Sequence, residues 1–205
     1  MKVVGLLLAG GLSRRMGGGD KALRMLGGVS LLDRVIERIR PQAEALVLNA
    51  NGDPERFAQF GLPVVPDSVP DFAGPLAGVL AGLDWTALHR PDCAYVVSVA
   101  TDAPFLPKDL VARFTVEIET AQADVACAAS GGQTHPVIGL WPVRLREDLR
   151  HALVEEGIRK VDQWTARHSL ATVVFGSEPI DPFFNANRPE DFDAAAALLD
   201  SIETA

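Results

Sequence analysis

At 205 residues, 48% hydrophobic and 22% charged, the chain can bury the core of one domain spanning residues 1–205, and its composition excludes a disordered polymer. The formal net charge of −8 excludes the broad basic face of a nucleic-acid binder, so a polyanion could be met only where positive charge is concentrated locally. Two cysteines, Cys93 and Cys127, lie far apart without a C-x-x-C, so neither a disulfide framework nor a zinc site is indicated and both are expected as small core residues.

Taken in chain order, strand and helix alternate almost throughout. Residues 3–8 form a continuous apolar run, as a strand buried on both faces requires. The apolar start is too short to span a bilayer, and its arginines come after rather than before it, unlike a secretory signal. With no other membranous stretch, a soluble cytoplasmic protein with no membrane partner is expected. A glycine-rich loop occupies 9–21. Leu31, Leu32, Val35, Ile36 and Ile39 then give one apolar helix face behind a Ser30 cap. Strands are expected at 45–48 and 63–65, with a short helix at 54–60 that has Pro54 in its first position. A turn-rich loop at 66–74 leads to a helix over 75–88, a buried strand at 95–100 and a helix over 107–121. Strands at 125–129 and 137–141 flank Gly131-Gly132. Helices at 145–155 and 159–168, a strand at 171–175 and a closing helix at 189–202 complete the pattern.

Alternation of this kind implies an α/β fold, with a mainly parallel sheet between two layers of helices. In such sheets a ligand sits beyond the carboxyl ends of the strands, so the loops after Leu8, Leu48, Val65 and Ala100 should line the site.

The most informative stretch is Leu8-Ala9-Gly10-Gly11-Leu12-Ser13-Arg14-Arg15-Met16-Gly17-Gly18-Gly19-Asp20-Lys21. Glycines allow backbone N–H groups to turn inward and approach phosphate oxygens closely. Arg14, Arg15, Lys21 and nearby Arg24 oppose only Asp20, a local excess of positive charge that suits phosphate. Two better-known glycine signatures do not fit. Residues 17–22 match G-x-G-x-x-G/A only well beyond the strand end, whereas a dinucleotide fingerprint must open the helix directly. A P-loop would need G-x-x-x-x-G-K-[ST], and here Asp20 precedes the lysine and Ala22 comes after it.

The stretch L-A-G-G-x-S-R-R-M-G-G-x-D-K resembles the signature of the molybdenum cofactor guanylyltransferases, within the wider nucleotidyltransferases of nucleoside-diphosphate-sugar type. The resemblance implies a single-domain, three-layer, Rossmann-like nucleotidyltransferase fold. It also implies that Leu8, Ala9, Gly10 and Gly11 hold a nucleotide through main-chain contacts while Lys21 binds its phosphates.

Further segments extend the likeness. Thr101-Asp102-Ala103-Pro104-Phe105-Leu106-Pro107 comes after a buried strand, and Asp102 there either caps a turn or holds magnesium. The segment resembles the family's C-D-x-P-F-L-P, with Thr101 in place of a frequent cysteine, and this implies the metal role. Asn49-Ala50-Asn51 and Asp67 stand at the ends of two other strands. By themselves they read as turn formers; the family's V-N-A-N and P-D-S segments imply that Asn49 and Asp67 contact GTP. Gly74-Pro75-Leu76-Ala77-Gly78 resembles G-P-L-A-G, and Gly74, Gly78 and Gly82 share one helix face, suited to close packing or to a ligand at the helix N-terminus. Asn185 and Asn187 fall in a segment resembling N-x-N-x-P-E-[ED]; Asn187 caps the last helix with Glu190, and Asn185 is a candidate ligand contact. His135-Pro136 matches a family element, and no catalytic task is assigned to His135.

The resemblance implies transfer of GMP from GTP to the terminal phosphate of molybdopterin; in such a reaction Mg²⁺ on Asp102 is expected to neutralise the leaving pyrophosphate together with Lys21 and Arg15, Arg14 or both. Other cofactor-biosynthesis proteins or acceptor molybdoenzymes are expected partners. Rival readings are a cytidylyltransferase acting on the same cofactor, disfavoured because its relatives tend to L-A-A-G where Gly10-Gly11 stand here, and a non-catalytic GTP-binding module. Retention of both Lys21 and Asp102 speaks against the latter.

Overall fold

The computed structural model describes residues 1–9, 20–69, 74–185, 192 and 195–196. At its centre, β1 (Val3–Leu8) splits its apolar run between two cores. Val3 and Leu7 face one cluster, and Val4 and Leu6 face the other. This is the period-two consequence of a strand covered on both sides. The next elements are β2 (Met25–Leu26), β3 (Val29–Ser30), α1 (Leu31–Ile39), β4 (Ala45–Asn49), β5 (Val64–Val65), α2 (Pro75–His89) and β6 (Tyr95–Ala100). After these come α3 (Leu110–Ala121), β7 (Val125–Ser130), β8 (Gln133–Pro142), α4 (Arg146–Val154), α5 (Val161–Thr165) and β9 (Leu170–Val174).

Seven strands form one sheet in the order β5-β4-β1-β6-β8-β7-β9. The β5-β4-β1-β6 half is parallel throughout, and β8 runs antiparallel to both of its neighbours. Residues of α1 and α3 pack on one face, and those of α2, α4 and α5 on the other. The three-layer, mainly parallel α/β architecture expected from the alternation is therefore what the chain builds. Cys93 and Cys127 are buried free thiols, and burial pushes both thiols up from their ordinary value. Among the described residues no helix is long and apolar enough to cross a membrane.

Local physics accounts for most boundaries. Ser30 Oγ accepts the Asp33 N–H at 3.0 Å and so caps α1, whose Leu31, Leu32, Val35, Ile36 and Ile39 are all buried. Other boundaries depend on distant partners. The helix expected from 107 begins at Leu110, because Gln42 Nε2 donates to Pro107 O at 2.9 Å while its Oε1 accepts the Val111 N–H at 3.0 Å. A side chain from the segment after α1 thus supplies the cap. The helix expected over 159–168 shortens to Val161–Thr165. The β2–β3 hairpin is new; its turn uses Gly27 and Gly28, both at positive φ (58° and 77°).

The second hairpin, β7–β8, also turns on two positive-φ glycines, Gly131 and Gly132, and β8 begins at Gln133 rather than at 137. Its register jumps: Cys127 pairs with Gly139, but Ala128 pairs with His135. Residues 136–138 form a bulge, which is how Pro136 fits within a strand. On the other side, β8 tracks β6 only as far as the Ser98–Gly139 pair, although β6 stays paired with β1 up to Ala100. The sheet therefore divides beyond Ser98. The closing helix expected at 189–202, with its Asn187–Glu190 cap, lies outside the described residues apart from 192, 195 and 196, which are helical.

Candidate functional site

Parallel pairing brings four strand ends level. Val65 pairs with Asn49, Asn49 with Leu8, and Leu8 with Ala100, in one row across the sheet. Three bonds extend the ladder past that row: Ala9 N–H to Asn49 O (3.0 Å), Ala50 N–H to Val65 O (3.0 Å) and Thr101 N–H to Leu8 O (3.3 Å). The chain leaves β1 and β6 beside one another, and such a carboxyl edge is where α/β sheets hold ligands. The four loops singled out from the sequence all start from this edge.

The residues predicted for the site fall into two groups. In the first, Lys21 Nζ donates to Asp102 Oδ2 at 2.5 Å, with both side chains largely shielded (16% and 22% exposed). The loop carrying Asp102 is anchored by its apolar residues, since Ala103, Phe105 and Leu106 are buried. Thr101, at the position of the family's frequent cysteine, donates through Oγ1 to Leu8 O at 3.3 Å and adds a side-chain link between the ends of β1 and β6. In the second group, buried Asn49 donates through Nδ2 to Val65 O (3.2 Å) and to Asp67 Oδ1 (3.1 Å). Asn51 Nδ2 donates to Asp67 Oδ2 (2.8 Å), and Asn51 Oδ1 accepts the Asp67 N–H (2.9 Å). The adjoining serine is anchored as well: Ser68 Oγ donates to Asp84 Oδ2 (2.6 Å), and Arg150 donates to the other oxygen of Asp84 (2.5 Å). Gly10, Gly11, Arg14 and Arg15 lie outside the described residues.

The glycine face of α2 packs closely. A Cβ at Gly78 would land on Asn49 Oδ1 and 2.7 Å from Leu8 Cδ2, and one at Gly82 would sit 2.6 Å from Leu6 Cδ2. Gly78→Ala is expected to displace the Asn49 amide and to cost about 1–3 kcal/mol, the usual range for overpacking. Thermal unfolding together with the NMR shifts of the Asn49 side-chain amide would check this; an unchanged midpoint and unchanged shifts would contradict so close an approach.

Sequence reasoning missed two clusters. Arg56 and Asp20 form an ion pair at 3.0 Å between the two groups above. No local pattern announces it, because the partners belong to different loops. Farther along the edge, Ser130 Oγ lies 2.7 Å from both His135 Nε2 and Asp181 Oδ1. Its single hydroxyl hydrogen goes to the carboxylate, so His135 donates through Nε2–H. Burial pulls the His135 imidazole below its ordinary value, against an opposing pull from Asp181. Phe183 N–H also bonds Asp181 Oδ1 (2.9 Å), and the His135 ring packs against Phe183. The histidine ties the β7–β8 hairpin to the segment leading to Asn185.

A metal at the Lys21–Asp102 pair would meet the Asp102 carboxylate. Among the described residues no three His, Cys, Asp or Glu side chains cluster as a cage. A hard cation on Asp102 would take its remaining ligands from phosphate and water, a set that magnesium accepts.

Level parallel strand ends, with a lysine–aspartate pair on one side and a braced amide–carboxylate group on the other, are the framework of a nucleotidyltransferase. The chain belongs to the family described as the MobA-like NTP transferase domain, which matches residues 5–171. It is 66% identical over 196 residues to the molybdenum cofactor guanylyltransferase of Bradyrhizobium sp. (strain ORS 278), covering 96% of this chain and 92% of that one. It is 60% identical over 194 residues to the protein of the same name from Nitrobacter hamburgensis, covering 95% and 93%. The fold is similar to the crystal structure of molybdopterin-guanine dinucleotide biosynthesis protein A from Archaeoglobus fulgidus, with a TM-score of 0.74 at 24% identity, covering 98% of this chain and all of that one.

Proposed function

We propose that the chain, acting as one domain over residues 1–205, transfers GMP from GTP to the terminal phosphate of molybdopterin. The reading is carried by near-full-length similarity to guanylyltransferases, together with the Lys21–Asp102 pair at the crevice between β1 and β6. A phosphate oxygen of the acceptor attacks the α-phosphorus of GTP. The bond from that phosphorus to the oxygen bridging the β-phosphate breaks, and pyrophosphate leaves with the electron pair. The nucleophile is already an anion, so the protein's part is placement and charge stabilisation rather than general-base catalysis.

In this reading Leu8, Ala9, Gly10 and Gly11 hold the nucleotide through their main chain, and Asn49 and Asp67 bind its nucleoside end. Lys21 and Arg15 meet the phosphates, and Asp102 would hold Mg²⁺, which would supply Lewis-acid charge compensation on the phosphate oxygens. The Lys21 ammonium already at Asp102 supports the pairing, since moving from that carboxylate to an incoming phosphate is a short transfer for a flexible side chain. A cytoplasmic setting suits the free thiols Cys93 and Cys127. Acceptor molybdoenzymes and other cofactor-biosynthesis proteins are the partners such a product requires.

The test is pyrophosphate release by purified protein with a molybdopterin-type acceptor and Mg²⁺, comparing GTP, CTP and ATP. Release is expected with GTP alone. Preference for CTP would replace the base assignment, and GTP binding without any release would favour the non-catalytic module.

A further inference from the structure

One side chain, unused in the reaction above, joins the two halves of the site. Arg56 stands on the 3-10 turn Pro54–Phe60, with its guanidinium 4.9 Å from the ring centroid of Phe57, itself buried in the core. Its Nη2 donates to Asn51 O at 2.6 Å, and its Nε, sealed from solvent, lies 3.0 Å from Asp20 Oδ2. Gly52, at φ 87°, leaves room for the group; a Cβ there would come within 3.2 Å of Arg56 Nη1.

The partners of Arg56 lead in opposite directions. Asn51 holds the backbone and carboxylate of Asp67. Asp20 precedes Lys21, whose ammonium sits on Asp102. Among the described residues a continuous path therefore runs from Asp67 through Asn51, Arg56, Asp20 and Lys21 to Asp102, and the Arg56–Asp20 pair is where it crosses from one loop to the other.

We propose that Arg56 is a positioning residue that sets the nucleoside end of the site at a fixed separation from its phosphate end. A ribonucleoside triphosphate bound at both ends is thereby held with its α-phosphorus in register with Asp102. This rests on the nucleotidyltransfer reading. Two chemical details favour arginine for the task. The planar guanidinium donates through Nη2 to Asn51 O while its Nε edge lies in an ion pair beside Asp20, two directions fixed by one rigid group that a flexible ammonium does not fix. Stacking on a fixed aromatic ring holds the fork in place before the ligand arrives, so less ordering remains to be done on binding. An exposed ion pair would contribute little, but this pair is mostly shielded, with 29% exposure at Arg56 and 17% at Asp20.

The experiment uses the full chain with Arg56→Lys, Asp20→Asn and the double variant. It measures steady-state kinetics in GTP and in acceptor, direct binding of GTP, guanosine and pyrophosphate, and thermal unfolding. Arg56→Lys is expected to raise the KM for GTP about tenfold and lower kcat about tenfold, the scale on which misplacement by a fraction of an ångström acts. Guanosine and pyrophosphate, each bound at one end only, should keep their affinities within about twofold, as should the KM for acceptor. The double variant should be no worse than Arg56→Lys, because both changes break one link. Arg56→Lys kinetics matching the wild type, losses that multiply in the double variant, or fragment affinities that fall in step with that of GTP would each overturn the role of Arg56. A wild-type protein that fails to bind GTP would overturn the nucleotide reading, and this inference with it.

Discussion

Asp102→Asn should lose about a thousandfold or more in turnover, the scale expected when a principal charge-stabilising group is removed from a transfer site. The fold should survive. The side chain is 22% exposed, the substitution is isosteric, and buried Ala103, Phe105 and Leu106 hold the loop independently of the carboxylate. The thermal midpoint should therefore move by only a few degrees, the shift that about 1 kcal/mol produces in a chain of this size. Pyrophosphate release measured against magnesium concentration is the test. Turnover that stays at the wild-type level, with the same magnesium dependence, would remove Asp102 from the reaction.

Lys21→Met should produce two effects of opposite sign. Turnover should fall by about a hundredfold, because the mobile cation that meets the phosphates is gone. Divalent-metal affinity in the absence of nucleotide should rise by about three- to tenfold, since the ammonium 2.5 Å from Asp102 Oδ2 no longer competes for that carboxylate. Calorimetric titration with Mn²⁺ or Mg²⁺, with and without nucleotide, separates the two. Weaker metal binding in the variant without nucleotide would mean that the lysine helps to build the cation site rather than guarding it.

Much of this architecture was legible in the chain. Apolar runs located β1, β4 and β6, and the spacing of Leu31, Val35 and Ile39 located α1, because burial on one or both faces leaves a local period. That Asn49, Asp67 and Asp102 would come to one edge was legible because each stands at the end of a strand or just past it and parallel pairing levels those ends. A ligand role for Asn49 and Asp67 came only from the family resemblance, since the residues alone read as turn formers. What stayed hidden depends on contacts between distant segments. Gln42 starts α3 across 69 residues, and Arg56 reaches Asp20 from another loop; neither leaves a periodic or compositional mark. The β2–β3 turn carried the signal Gly27-Gly28, but strands of two residues each are too short for alternation to register. The close packing expected of the glycine face is found at Gly78 and Gly82, which press on Asn49, Leu8 and Leu6.

The divided sheet bears on how this architecture tolerates change. Beyond Ser98 and Gly139 the rungs between β6 and β8 cease, while those joining β6, β1, β4 and β5 continue to the edge. A residue gained or lost among 133–138 alters the hairpin's reach without breaking a rung among β6, β1, β4 and β5, and the tie it would disturb is the bond from Ser98 Oγ to Val137 O at 2.6 Å. The bulge at 136–138 is already a surplus of that kind. One half of the sheet is thus a continuous ladder up to its carboxyl edge, and the other an arm whose length is set separately.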